Sequence, residues 1–345
     1  MKKIIYIFFL FIFFACEKEI KLDIPNAEKE IVVQAMIQKG YPPIVQLTWS
    51  DSYFATIDSN SYDEMFIKGA EVLIFNHDRT DSIALTEIEI SNPSLPQNIL
   101  PGFYSHPELD LDPTLLYPFT NFFNEGKKYH LRIAFEGDTL TATTSIPYST
   151  PLDSIWFVPD DRYPEYGDFY MFYDDPDTMG NNVMFEHKRI AHFSLSEQKN
   201  ISDFMFIKAF GAVRNDFEGL NGMGFETFFE RGEGTNFDHE TLHFKHPGFG
   251  NFQMAYINDS VGEVTADIVL FRFSQLDKAS FEFWRSVIAQ DVMNSNPFAE
   301  PLNLKSNING GLGIFEGKAA VYYKLIAKED TTFTQRYYPD IFEIL

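Results

Sequence analysis

The stretch IVVQAMIQ, residues 31–38, places Ile31, Val33, Ala35 and Ile37 on one side and polar or smaller residues between them. That period of two is the pattern of a strand with one face in a core. Gly40 and the Pro42–Pro43 pair then mark a turn. The alternation resumes with Val45, Leu47 and Trp49. Further strand-like runs follow at 70–76 (AEVLIFN), 82–90 (SIALTEIEI), 128–135 (KYHLRIAF) and 138–146 (DTLTATTSI). Gly137-Asp138 between the last two predicts a tight hairpin. Residues 91–127, rich in Pro and Asn, read as an irregular excursion. Short strands with turn signals and no long helix predict an Ig-like β-sandwich over 30–147.

Pro147 and Pro151 bracket a junction, and the composition changes beyond it. Aromatic runs at 169–175, 182–190, 204–210, 251–257, 266–274 and 317–327 alternate with loops rich in Gly, Asp and Asn. One long helix is expected near 275–293, where Phe281, Trp284, Ile288 and Val292 share a helical face and Val287 lies beside it. Ser274 and Asp277 offer its capping start. The fold class expected is therefore mostly β, with a β-rich second domain at 148–345 carrying that helix.

Upstream of the first strand, EKEIKLDIPNAEK (17–29) is polar and reads as a tether. Before it, Lys2 and Lys3 lead an apolar run, Ile4 to Ala15, that ends at Cys16, the only cysteine. A charged start, a short apolar segment and a small residue before the cut are the pattern of a secretory signal, residues 1–15. About a dozen apolar residues are too few to span a bilayer as a helix. A cysteine directly after the run predicts cleavage before Cys16 and its acylation by palmitate-type chains. Several chains together would hold stably, since each buried methylene contributes about 0.8 kcal/mol. Lys18 and Glu19 stand where a surface-export signal would follow the anchor, the plain alternative being a solvated linker.

The formal charge is −23, from 27 basic and 50 acidic residues. A surface this acidic repels nucleic-acid phosphates and anionic lipid headgroups, so neither is an expected partner. With Cys16 acylated there is no disulfide, no thiol nucleophile and no cysteine metal cluster. Aromatic residues make up 17% of the chain, which suits pleated, half-buried surfaces.

Three constellations could carry chemistry. His239, Glu240 and His243 match H-E-x-x-H, with His246 available as a third zinc ligand. The motif works on a helix, which brings its two His together. Here Gly232 and Gly234 precede it and Pro247-Gly248 follows, so a strand or turn is the expectation. An extended chain would hold His239 and His243 roughly 13 Å apart. Asp174, Asp175 and Asp177, with Asp160 and Asp161 before them, offer oxygen ligands to calcium but lack the spacing of an EF-hand. Turn-forming aspartates are the ordinary alternative. Tyr163, Tyr166, Phe169, Tyr170 and Tyr173 would make a sugar- or peptide-stacking patch if exposed, and a core if not. The sequence holds no G-x-S-x-G elbow and no P-loop.

CEKEIKLDIP at 16–25, VVQAMI at 32–37, the WRSV of the helix and NPFAEPLNLKSNINGGLGIFEG at 296–317 together resemble one family. The DDP at 174–176, followed by Asn181 and Asn182, is similar to that family's second-domain start. These are the Bacteroidota outer-membrane lipoproteins catalogued as domain of unknown function 4249. The resemblance implies an outer-membrane lipoprotein commonly associated with TonB-dependent transporters, with no established catalytic activity; exposure at the cell surface is the expectation from Lys18 and Glu19. Only the Cys16 anchor carries over as a residue. The glycines of 296–317 read as a structural corner rather than a ligand loop. The function expected is a non-enzymatic binding or accessory subunit without a cofactor. The alternatives are a structural or assembly lipoprotein of an envelope machine and a zinc peptidase.

Overall fold

A computed structural model describes residues 29–50, 64–88, 102–111, 121–164, 166–174, 181–194, 199–201, 207–215, 227–228, 241–245, 252–253, 256–258, 263–294 and 304–344. The chain is mostly β. The first half forms β1 (Ile31–Gln38), β2 (Ile44–Trp49), β3 (Glu71–Phe75), β4 (Ser82–Glu87), β5 (Phe103–Ser105), a short helix α1 (Pro107–Leu111), β6 (Lys127–Phe135) and β7 (Asp138–Ile146). As the alternation requires, Ile31, Val33, Ala35 and Ile37 are buried.

Two expectations are corrected here. The 91–127 stretch is not wholly irregular: β5 inside it pairs with β2 on one side and β4 on the other. The β6–β7 turn is Glu136-Gly137, one residue earlier than read, because Phe135 pairs with Asp138. Both turn residues have positive φ, 50° and 99°. That is the two-residue geometry that matches the twist of its strands.

The second half forms β8 (Ser154–Pro159), β9 (Tyr166–Asp174), β10 (Asn182–Ser194), β11 (Lys199–Ile201), β12 (Ile207–Asn215), β13 (Thr227–Phe228), β14 (Thr241–Lys245), β15 (Phe252–Gln253), β16 (Tyr256–Asn258), β17 (Glu263–Thr265) and β18 (Ile268–Leu276). Helix α2 (Lys278–Asn294) follows, then β19 (Ile308–Asn309), β20 (Leu312–Ile326), β21 (Thr332–Phe333) and a terminal turn of helix, α3 (Ile341–Ile344). Helix α2 starts at Lys278 because β18 continues through Ser274 to Leu276. Asp277 caps it, accepting the Ser280 N–H at 2.9 Å. Phe281 and Trp284 are buried apolar side chains of α2.

One sheet of thirteen strands runs in the order β11-β10-β18-β20-β1-β2-β5-β4-β3-β6-β7-β19, with β12 also on β10. A sheet of six, β13-β14-β9-β8-β21 with β15 on β9, packs on its second half. The join between halves is β20. Its first part pairs in parallel with β1, Val32 with Leu312 through Gln38 with Lys318. Its second part pairs antiparallel with β18, Leu276 with Lys318 through Ile268 with Ile326. Lys318 is therefore opposite both Gln38 and Leu276.

Two main apolar cores result. The first gathers Val33, Leu47, Ile74, Ile133 and Phe123 with Phe315 and Ala319 of β20. The second gathers Phe157, Met171, Phe185, Phe271 and Phe273 with Val321, Tyr323 and Leu325 of the same strand. The glycine-rich stretch before β20 is a close-packed corner, as expected. Gly313 has φ +107°, and a Cβ there would collide with the Val33 carbonyl oxygen. The Asn307 carboxamide pairs with both the N–H and the carbonyl of Phe315, each at 2.8 Å, in the manner of a neighbouring strand.

Candidate functional site

Strand β20 reads LGIFEGKAAVYYKLI and is buried along most of its length, so Glu316 and Lys318 within it are shut off from bulk water. Glu316 and Lys318 are 3% and 1% exposed. Such charges persist in a core only when paired and hydrogen-bonded. Their partners come from three other elements. Lys318 Nζ lies 3.2 Å from Glu186 of β10 and 3.5 Å from Glu316. Arg272 of β18 grips Glu186 with two bonds, Nε to Oε2 at 2.6 Å and Nη2 to Oε1 at 2.8 Å. Trp284 of α2 donates its indole N–H to Glu316 at 3.0 Å. Two acids and two bases balance. Glu186, Arg272 and Tyr322 stand directly opposite one another across β10, β18 and β20.

The row continues outwards. Burial works against the Arg272 charge, but the Glu186 carboxylate and Tyr322 outweigh it, and the guanidinium is held more firmly protonated. Arg272 donates to the Tyr322 hydroxyl. Burial pushes the Tyr322 pKa up, so the hydroxyl keeps its proton and donates it to Gln38 Oε1 at 3.0 Å. Gln38 is the last residue of β1 and is 3% exposed.

Gln38 opens onto a solvent-open cleft with a cavity volume of about 200 Å³. The end of β1 and the following turn supply Gln38, Lys39 and Tyr41. The loop before β6 supplies Glu125, the strap after β7 supplies Ser149, and β20 supplies Ala319 to Tyr322. The C-terminal tail closes it with Arg336, Tyr337 and Tyr338. Glu125 accepts from the Ser149 hydroxyl at 2.9 Å. The tail is pinned. The Tyr337 N–H donates to the Tyr322 carbonyl at 2.7 Å, and the Tyr41 hydroxyl to the Pro339 carbonyl at 3.0 Å. Burial and its bond to Glu343 push the Tyr337 phenol up to about 12. Lys324 sits 5.0 Å over the Tyr337 ring.

The residues singled out from sequence fall elsewhere. Cys16, Lys18 and Glu19 lie outside the described residues. His243 sits in β14, paired with Phe172 of β9, so residues 241–245 form a strand and not a helical turn. His239, Glu240 and His246 lie outside the described residues. Asp174 ends β9, and Asp175 and Asp177 lie outside. Asp160 builds a turn, accepting the N–H groups of Arg162 and Tyr163 at 2.8 and 3.0 Å. Among the described residues, no group of three His, Cys, Asp or Glu could hold a metal ion.

The aromatic run does not form one patch. Phe169 and Tyr173 are buried against Phe157 and Phe273. Tyr170 is half-buried and stacks on Trp156 at 6.2 Å, while Tyr163 is exposed. Alternation along β9 sends odd and even positions to opposite faces. Sequence reading missed the Glu186–Arg272–Lys318–Glu316 cluster and the Gln38 cleft. The available signal was a charge set inside each of three apolar runs: Glu186 in NVMFEHKRI, Arg272 in IVLFRFS, and Glu316 and Lys318 in IFEGKAAV.

No helix among the described residues is long and apolar enough to cross a membrane. No curated protein matches the chain. Two solved structures of Salmonella alpha-2-macroglobulin are similar to it. One is a mutant, at 10% identity with a TM-score of 0.22, over 92% of this chain and 22% of that one. The other is a methylamine-reacted form, at 9% identity with a TM-score of 0.23, over 91% and 22%. The chain thus spans about a fifth of the length of those proteins. A family model matches residues 17–322, nearly the whole of the chain beyond Cys16, and the protein belongs to the family described as Domain of unknown function (DUF4249).

Proposed function

We propose that the protein is a non-enzymatic outer-membrane lipoprotein, anchored through Cys16 and exposed at the cell surface, that serves as a binding or accessory subunit beside a TonB-dependent transporter. The observation that carries the reading is the order of features at the start of the chain. A signal ending at Cys16 and a polar tether lead into a body whose first strand begins at Ile31. The family match begins at residue 17, directly after Cys16. The polar cleft at the far end of β1 gives such a subunit a place to hold a small ligand.

The test has two arms. Cys16→Ala should move the protein from the membrane fraction to the soluble fraction at equal expression. A variant that still needs detergent for release, with its signal cleaved, would overturn the anchor. Crosslinked wild-type protein purified from native outer membranes should bring down a TonB-dependent transporter. Recovery of envelope-assembly components alone would instead assign it to a structural machine.

A further inference from the structure

We infer that the cleft between the end of β1 and the C-terminal tail binds a small carboxylate-bearing molecule through Gln38, Lys39 and Arg336, and favours one that also carries an ammonium group, such as a short peptide with free ends. The inference rests on the binding-subunit reading above and names the ligand class for it.

The direction of the hydrogen bonds carries the argument. Arg272 donates to Tyr322, and Tyr322 donates to Gln38 Oε1. With its oxygen turned towards Tyr322, Gln38 has the two N–H groups of its carboxamide to offer the cleft. Those groups donate to no acceptor among the described residues, although the side chain is 3% exposed. The carboxamide lines the cleft, so its N–H groups are open to an acceptor bound there.

Charge points the same way. The cleft is lined by two cations, Lys39 and Arg336, and one anion, Glu125, in a chain of 27 basic and 50 acidic residues. Neither cation makes an ion pair with a described residue. They come from two separate segments, Lys39 from the turn after β1 and Arg336 from the tail. A guanidinium fork, an ammonium and a carboxamide N–H are the donor set that recognises a carboxylate. Glu125, steadied by Ser149, is the only acid among the described lining residues and supplies the complement to a ligand ammonium.

The experiment uses the full lipidated protein in detergent micelles and titration calorimetry. The probes are a pool of tripeptides with free ends and the same pool amidated at the carboxyl end. Binding of the free-ended pool is expected, with a loss of about tenfold or more on amidation. Lys39→Gln and Arg336→Gln, both at exposed side chains, should each lower affinity for the free-ended pool by about tenfold and leave the amidated pool unmoved. Equal binding of both pools would overturn the inference, as would absence of binding to either. Transporter recovery by Lys39→Gln and Arg336→Gln separates the two claims. If recovery persists while peptide binding is absent, only the ligand class is wrong; if recovery fails in the wild type, the accessory-subunit reading is wrong.

Discussion

The hydroxyl of Tyr323 ties β20 to the segment just before β8 through a single residue, Leu152. It accepts the Leu152 N–H at 2.7 Å and donates to the Leu152 carbonyl at 3.3 Å. Burial pushes its pKa up to about 12 from 10.0. A group whose pKa is raised on folding contributes stability that is whole below its unfolded pKa and is lost as pH rises through the folded one. The window is therefore pH 10 to 12, and the loss across it is about 2–3 kcal/mol. Tyr323→Phe should be less stable than wild type at pH 8 by about 1–2 kcal/mol, because Leu152 loses its partner. The gap should close in urea titrations as pH climbs from 10 to 11. A constant gap would mean that the phenol titrates normally. Single residues were also the hardest feature to read from sequence. Lys318 and Arg272 sit in runs that look like core strands, and charge alone does not say which partners a fold will bring to them. The Gln38 donor was illegible for the same reason: its role depends on Tyr322, 284 positions away.

Elements were more legible when their signal was local. The alternation in β1 and the β6–β7 hairpin needed only neighbours, so both stood in the sequence. Strand β5 was hidden because three residues, Phe103 to Ser105, are too few to show a period. The start of α2 was misplaced because the β18 ladder claims Ser274 to Leu276 before the helix can. The junction between these two elements is a single residue, Asp277. Its Oδ1 caps α2, and its Oδ2 accepts from the Thr144 hydroxyl at 2.9 Å and the Ser145 N–H at 3.1 Å on β7. Asp277→Ala removes the cap and leaves the Ser145 N–H without its acceptor. It should lower unfolding free energy by about 2–4 kcal/mol, the sum of a lost cap and an orphaned donor. A loss below about 0.5 kcal/mol in urea titrations would show that water replaces both bonds.

At the scale of the whole molecule, β20 gives Phe315 and Ala319 to one core and Val321, Tyr323 and Leu325 to the other. Neither core is complete without it. Both should therefore unfold in one cooperative step. Hydrogen exchange should show protection in β6 and in β18 lost at the same denaturant concentration. Loss at two separate concentrations would reveal independent halves. The parallel pairing that makes this unity, β1 beside β20, joins positions some 280 apart in the chain and leaves no local trace. It also fixes how the molecule answers tension. A pull on the residues before Ile31 runs along β1, which is held by six registered pairs to β2 and seven to β20. Such a load cannot peel those bonds open one after another. It must shear both ladders together, which makes the first strand a mechanical clamp.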